Sequence, residues 1–202
     1  MDTLILSAGA PPTSYKFEKL DLTFDEGTFA DVFREKNNKT VAETISHARY
    51  QKLGMIVPKD YADYLDTPLG RFLGELKDSS DEFYKRFLNR YGDSAYSRFY
   101  IPTESALTQK GIYCYSVSGN LKYIGRCRDS LKKRINQGYG KIHPKNCYID
   151  GQATNCHLNA LITEVAKEVE FWFCELDIDD INEAEKDLIA EYKPEWNIQG
   201  KV

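Results

Sequence analysis

Residues 111–125 read GIYCYSVSGNLKYIG: two Gly/Tyr/Ile triplets in near mirror order around a Ser-Gly-Asn-Leu break. A β-hairpin packed into a core explains such a stretch, because strand tyrosines are usually core or cross-strand pairs. The chemical reading is that Tyr113 and Tyr123 aim two phenols at one spot, and residues further on favour it. On a helix over 181–192, Ile181, Ala184, Leu188, Ile189 and Tyr192 fall within an arc of about 140°, the width of a core-facing stripe. Glu185 lies inside that arc, whereas Glu183, Lys186, Asp187 and Glu191 lie outside it. An ionised carboxylate facing inward is costly unless a cation or donors meet it, so Glu185 is expected to hold a metal or a charge partner. Arg134, in DSLKKRINQ, sits about 60° from Leu131 on the inner edge of its helix. Beside an inward Glu185 its planar fork suits a phosphate.

These groups need elements to position them. Residues 111–117 and 121–127 alternate as strands rich in Tyr, Ile and Val, joined by a turn containing Gly119-Asn120. Asp129 or Ser130 caps a short helix through Gln137, stopped by Gly138 and Gly140. A loop leads to a helix over about 155–167, a strand at 169–176, and a last helix from Asp179 or Asp180 to Tyr192, ended by Pro194. Upstream, 11–24 read as an extended arm. Helical patterns follow at about 28–36, 40–53, 58–77 and 80–91, then a linker at 93–110. The expected fold class is α/β (α+β), with a mostly helical region 1–110 for recognition or dimerisation. A compact domain 111–202 follows, with a small, mainly antiparallel three-stranded sheet flanked by helices.

The 202 residues carry a formal net charge of −4, which argues against wholesale coating of nucleic acid. The charge is unevenly laid out. Residues 122–145 hold eight Lys/Arg against one Asp, and 164–195 hold twelve Asp/Glu against three Lys, so a basic patch sits in an acidic chain. No apolar run approaches the ~20 residues of a membrane span, and MDTLILSAGAPP lacks the pattern of a secretory signal. Five cysteines, with no CxxC pair, favour reduced thiols over a metal cluster or disulfide framework. The expected location is cytoplasmic, away from membranes.

GIY, nine residues, YIG, then Arg134 and Glu185 on successive helices, resembles the GIY-YIG nuclease family. The tail EKDLIAEYKPEWN adds a Glu, an apolar pair and Pro-x-x-Asn; the resemblance covers 111–199. It implies a metal-dependent hydrolase of phosphodiester bonds. Glu185 would carry Mg²⁺ or another divalent ion such as Mn²⁺, Arg134 would neutralise the phosphate, and the hydroxyls of Tyr113 and Tyr123 would position or deprotonate the attacking water. A phenol is a poor base at neutral pH unless a nearby cation lowers its pKa.

The family often places a histidine four residues after its arginine. Here that position is Gly138, with Tyr139 next and His143 further on, so the base is Tyr113, Tyr139 or His143. Gly111 and Gly125 allow close backbone approach, and Asn197 ties the C-terminal loop to the strands. Lys122, Arg126, Arg128, Lys132, Lys133, Lys141, His143, Lys145 and His157 form the expected DNA-contacting set. DNA is the expected partner, with a homodimer or higher homo-oligomer serving two-strand cleavage. The branch implied is a restriction or phage-type endonuclease. The alternatives are a structure-specific repair or RNA-cutting nuclease, or a nucleic-acid-binding module without catalysis.

Overall fold

A computed structural model describes residues 2–166 and 168–198. The far ends of the helix expected to reach 167 and of the family-like stretch expected to reach 199 lie outside the described residues. The chain forms two compact units, made respectively of 1–26, 97–141 and 161–202, and of 27–96 and 142–160. The units therefore do not divide at 110/111, because the N-terminal segment belongs with the sheet of the C-terminal half.

The first unit holds a mixed α/β architecture around an antiparallel sheet. Strands β1 (Thr3–Ala8) and β2 (Thr13–Leu20) form a hairpin, and β3 (Thr23–Phe24) pairs separately with β4 (Phe99–Tyr100). The main strands of the C-terminal half are β5 (Gly111–Val117), β6 (Asn120–Cys127) and β7 (Val169–Glu175). The sheet order is β1-β2-β7-β5-β6, so it has five strands rather than the three expected. The difference is physical: Glu18, Lys19 and Leu20 of β2 pair with Phe173, Trp172 and Phe171 of β7. The expected arm thus covers a strand edge that would otherwise leave its backbone groups unpaired.

The β5–β6 hairpin turns through Ser118 and Gly119, both at positive φ (50° and 76°), one residue earlier than expected. Two consecutive left-handed residues make the turn whose twist matches the strands. A bulge follows, since Tyr115 opposes Tyr123 while Ser116 opposes Leu121. One sheet face packs Leu6, Phe17, Ile112, Cys114, Ile124 and Trp172 against Ala184 and Leu188 of the C-terminal helix Ile181–Tyr192. The opposite face carries Tyr113, Tyr115, Tyr123 and Phe171, whose rings contact one another.

The second unit is helical, but its four expected helices are broken into short pieces. They include α1 (Val41–Ile45), α2 (Gln51–Gly54), α3 (Val57–Asp60) and α4 (Leu69–Asp78), with 3-10 turns between α1 and α2 and between α3 and α4. Gly54, Pro58 and Pro68 fall at the interruptions, where a helix loses its donor or its stiffness. Thr40 caps α1: its Oγ1 accepts from Glu43 N and Glu43 Oε2 accepts from Thr40 N. Phe33, Val41, Tyr50, Phe72, Leu73, Phe87 and Tyr148 centre this core. Helix α5 (Ala153–Val165) begins near the expected position, and the C-terminal helix, α6, matches its expected end.

Candidate functional site

Register brings the two triplets together. Tyr113 lies opposite Gly125 and Tyr115 opposite Tyr123, so all four share the aromatic face of the sheet. Gly125 is required there, because a Cβ would stand 2.5 Å from the Tyr113 hydroxyl and 2.6 Å from Tyr123 Cε1. Gly111 is equally constrained: φ is 155° and a Cβ would meet the Cys174 carbonyl at 2.0 Å. Next to Gly125 on β6, at Ile124, Asn197 fastens the C-terminal segment to the strand, as expected. Its Oδ1 accepts from Ile124 N (2.9 Å) and its Nδ2 donates to Ile124 O (2.7 Å).

The segment after β6 departs from expectation in an informative way. Instead of an α-helix stopping at Gly138, a π-helix runs Lys132–Tyr139 with Gly138 inside it, and Gly140 N donates to Ile135 O, five residues back. Residues five apart would sit about 140° apart on an α-helix. Wider winding with i→i+5 bonds stacks them instead. Arg134 accordingly lies over the Tyr139 ring, 6.0 Å from its centroid. Gly140 anchors the end, its carbonyl accepting from Phe99 N where a Cβ would collide with Phe99 O at 1.9 Å.

Tyr139 is thereby delivered to the strand tyrosines. Tyr113 donates its hydroxyl to Tyr139 at 2.9 Å, and the Tyr123 and Tyr139 hydroxyls lie 3.4 Å apart. The Tyr115 hydroxyl, which sequence reasoning passed over, is buried beside them and has no hydrogen-bond partner among the described residues. Its position on the same strand face two residues from Tyr113 was the available signal.

Burial pushes the Tyr113, Tyr115 and Tyr123 phenols well above their ordinary pKa; neighbouring tyrosines add to the rise, and Arg134 pulls Tyr113 and Tyr123 the other way without prevailing. This corrects the expectation of a phenol lowered by a cation. At neutral pH these hydroxyls are protonated donors and acceptors, because the low-dielectric pocket disfavours phenolate.

Glu185 turns inward as its helical position required, with 19% of its side chain exposed, and its Oε2 lies 3.0 Å from Arg126 Nη1. Desolvation raises its carboxyl above the usual range, against the pull of Arg126 and Arg134, and its charge in turn acts on Tyr123. Tyr113, Tyr123, Tyr139 and Arg134 therefore meet from two strands and the π-helix, while Glu185 of α6 contacts Arg126 and acts electrostatically on Arg134 and Tyr123.

The expected DNA-contacting set divides. Lys122 is paired with Glu195 (2.6 Å), Arg126 with Glu185, and Lys133 with Asp129 (3.6 Å). Arg128, Lys132 and Lys141 are exposed on the same unit. His143, Lys145 and His157 belong to the other unit. His143 serves there as a cap, its Nδ1 accepting from Lys145 N and its own N–H donating to Asn146 Oδ1. His157 is 6% exposed with its ring against Tyr91 at 4.4 Å, so it is corrected from a phosphate contact to a packing residue.

Among the described residues no group of three or more His, Cys, Asp and Glu side chains could hold a metal ion. The donor set at the cluster is one desolvated carboxylate. That does not fit an ion caged by protein, but it fits Mg²⁺, which keeps several waters and takes the rest of its oxygens from substrate phosphate. No helix among the described residues is long and apolar enough to cross a membrane. Comparison of the chain with protein-family models, with curated proteins and with solved structures found no match.

Proposed function

We propose that this protein is a metal-dependent DNA endonuclease of the GIY-YIG type, hydrolysing phosphodiester bonds at the tyrosine cluster. The observation that carries the reading is the meeting of three phenols and a guanidinium, with an inward carboxylate acting on them electrostatically, from four separate segments. Core packing alone explains apolar rings; the reading draws its support from a hydrogen-bonded hydroxyl network with Arg134 over one ring and the Glu185 charge acting on Tyr123.

Each residue then has a task. Tyr113 and Tyr139, already linked hydroxyl to hydroxyl, orient the water whose oxygen bonds to phosphorus as the ester P–O bond breaks. Tyr113, remaining neutral, acts by hydrogen bonding, and Tyr123 supports Tyr139 from the other strand. Arg134 meets the negative charge that builds on the phosphate oxygens. Glu185 would hold a divalent ion, Mg²⁺ or Mn²⁺, which when bound would neutralise charge on the phosphate and the leaving oxygen. Arg126, 42% exposed along its side chain, releases the carboxylate for this and keeps its charge near the substrate backbone.

The finer assignment is a restriction or phage-type enzyme cutting both strands as a homo-oligomer. One observation favours a second reading, a nucleic-acid-binding module without catalysis: Glu185 is already neutralised by Arg126. Cleavage and binding measured on the same variants decide between the two. Tyr113→Phe and Arg134→Ala are expected to slow single-turnover cleavage by roughly 100-fold while DNA affinity changes less than threefold. Unchanged cleavage in both variants overturns the assignment.

A further inference from the structure

The helical unit contains a cleft of about 400 Å³ lined by Ala48, Arg49, Tyr50, Gln51, Lys52, Leu53, Arg86 and Ile149. Its lining includes three cations and no carboxylate. Elsewhere in that unit Arg34 pairs with Asp78, Arg71 with Glu75, Lys77 with Asp31 and Asp93, and Lys85 with Glu82, while Lys36, Lys39, Lys59, Arg90 and Lys145 form no ion pair among the described residues and do not line this cleft. Among the described residues Arg49, Lys52 and Arg86 form no ion pair, and all three are exposed. Two of them are nonetheless oriented. Arg49 donates one of its guanidinium N–H groups to the Ile149 carbonyl at 3.2 Å, and Arg86 lies over the Phe83 ring at 5.2 Å. The nearest acid in sequence to the cleft wall, Asp150, accepts the Tyr50 hydroxyl at 2.6 Å.

Cations fixed in direction but left unpaired suit an external anion: most of each guanidinium fork stays available, and the side-chain ordering that binding would demand is already met. We infer that this cleft is a second phosphate-binding site, occupied by the backbone of a nucleic-acid strand. The choice of nucleic acid over a free anion rests on the nuclease reading; the phosphate chemistry rests on the cleft alone. Arg49 and Arg86 grip phosphate oxygens and Lys52 adds a mobile charge, giving residues 27–96 a role in substrate affinity without any base contact.

The test uses the full chain in metal-free buffer, so that binding is read without cleavage, with a short fluorescent DNA duplex across a salt series. One triple variant carries Arg49→Ala, Lys52→Ala and Arg86→Ala. A control triple removes the same charge from the same unit at Lys39, Lys59 and Arg90. The cleft triple is expected to weaken binding at least tenfold and to flatten the log–log salt slope by about 2 to 3, while the control changes affinity less than threefold. Equal losses in both, or none in the cleft triple, overturn the site. If inorganic phosphate raises the melting temperature of wild type but not of the cleft triple, and the duplex binds both equally, the ligand is a free anion and the nucleic-acid assignment falls. Should the alanine triple not fold, glutamine at the same three positions carries the test. Cleavage separates this from the nuclease reading: a wild type that binds through the cleft but never cuts sinks that reading and leaves the site, whereas one that cuts with no cleft effect does the reverse.

Discussion

Gly125 shows how little freedom the candidate site leaves a single residue. Its missing Cβ is where the Tyr113 hydroxyl lies, so Gly125→Ala forces the phenol off Tyr139. The variant is expected to lose about 1–3 kcal/mol of stability, the usual cost of overpacking, together with most of its cleavage, read by melting and plasmid nicking. Glu185 makes the opposite statement about stability. Its carboxyl is raised by desolvation, so the folded state holds its proton more tightly than the unfolded state does, where the ordinary value is 4.5. Wild-type stability therefore falls as pH rises from that value through the raised one. Glu185→Gln lacks this loss. In metal-free buffer its melting temperature is expected to gain on wild type across that window and to hold a constant advantage above it. A difference that stays flat with pH would show that the carboxylate is not desolvated. Helical phase showed the inward turn of Glu185, but the α-helical phase used for Arg134 is not kept by the π-helix, and Tyr115, though on the Tyr113 face, has an identity that matches any strand core residue.

At the scale of elements, the hairpin β5–β6 depends on a clamp outside the sheet. Asn197 spends both ends of its amide on the Ile124 backbone. Asn197→Ala leaves that N–H and carbonyl unmatched on an edge strand, and is expected to cost about 1–3 kcal/mol and to speed amide exchange at Ile124. Strands β5 and β6 were legible from alternation, β7 lies within its expected bounds, and α6 was legible from its apolar stripe and its closing proline. The π-helix was not, because the signal is a spacing: an extra residue between Arg134 and Tyr139 has to be absorbed by winding. Strand β2 alternates plainly, with Tyr15 and Phe17 inward and Ser14, Lys16 and Glu18 outward. Its partner Phe171–Phe173 is some 150 residues away, however, and no local pattern announces such a pairing. The helices of 28–91 were overextended for the converse reason: propensity is local, and Gly54, Pro58 and Pro68 cut what it would have continued.

Over the whole molecule, the two units interleave along the chain, so a cut at residue 110 would strip the sheet of β1 and β2 as well as the helical unit. Among the described residues, cations without an ion pair lie on each unit, including Arg128, Lys132 and Lys141 on one and Arg49, Lys52 and Arg86 on the other, and the proposed function assigns polyanion binding to them. The central claim is that an inward carboxylate beside Arg134 and the phenols makes a hydrolytic centre. Supercoiled plasmid incubated with Mg²⁺ and either wild type or Glu185→Gln tests it most directly. Wild type is expected to convert supercoiled DNA to nicked and linear forms, and Glu185→Gln to shift the plasmid in a gel while cutting at least about 100-fold more slowly. A wild type that never nicks, or a glutamine variant that cuts as fast as wild type, would contradict the claim.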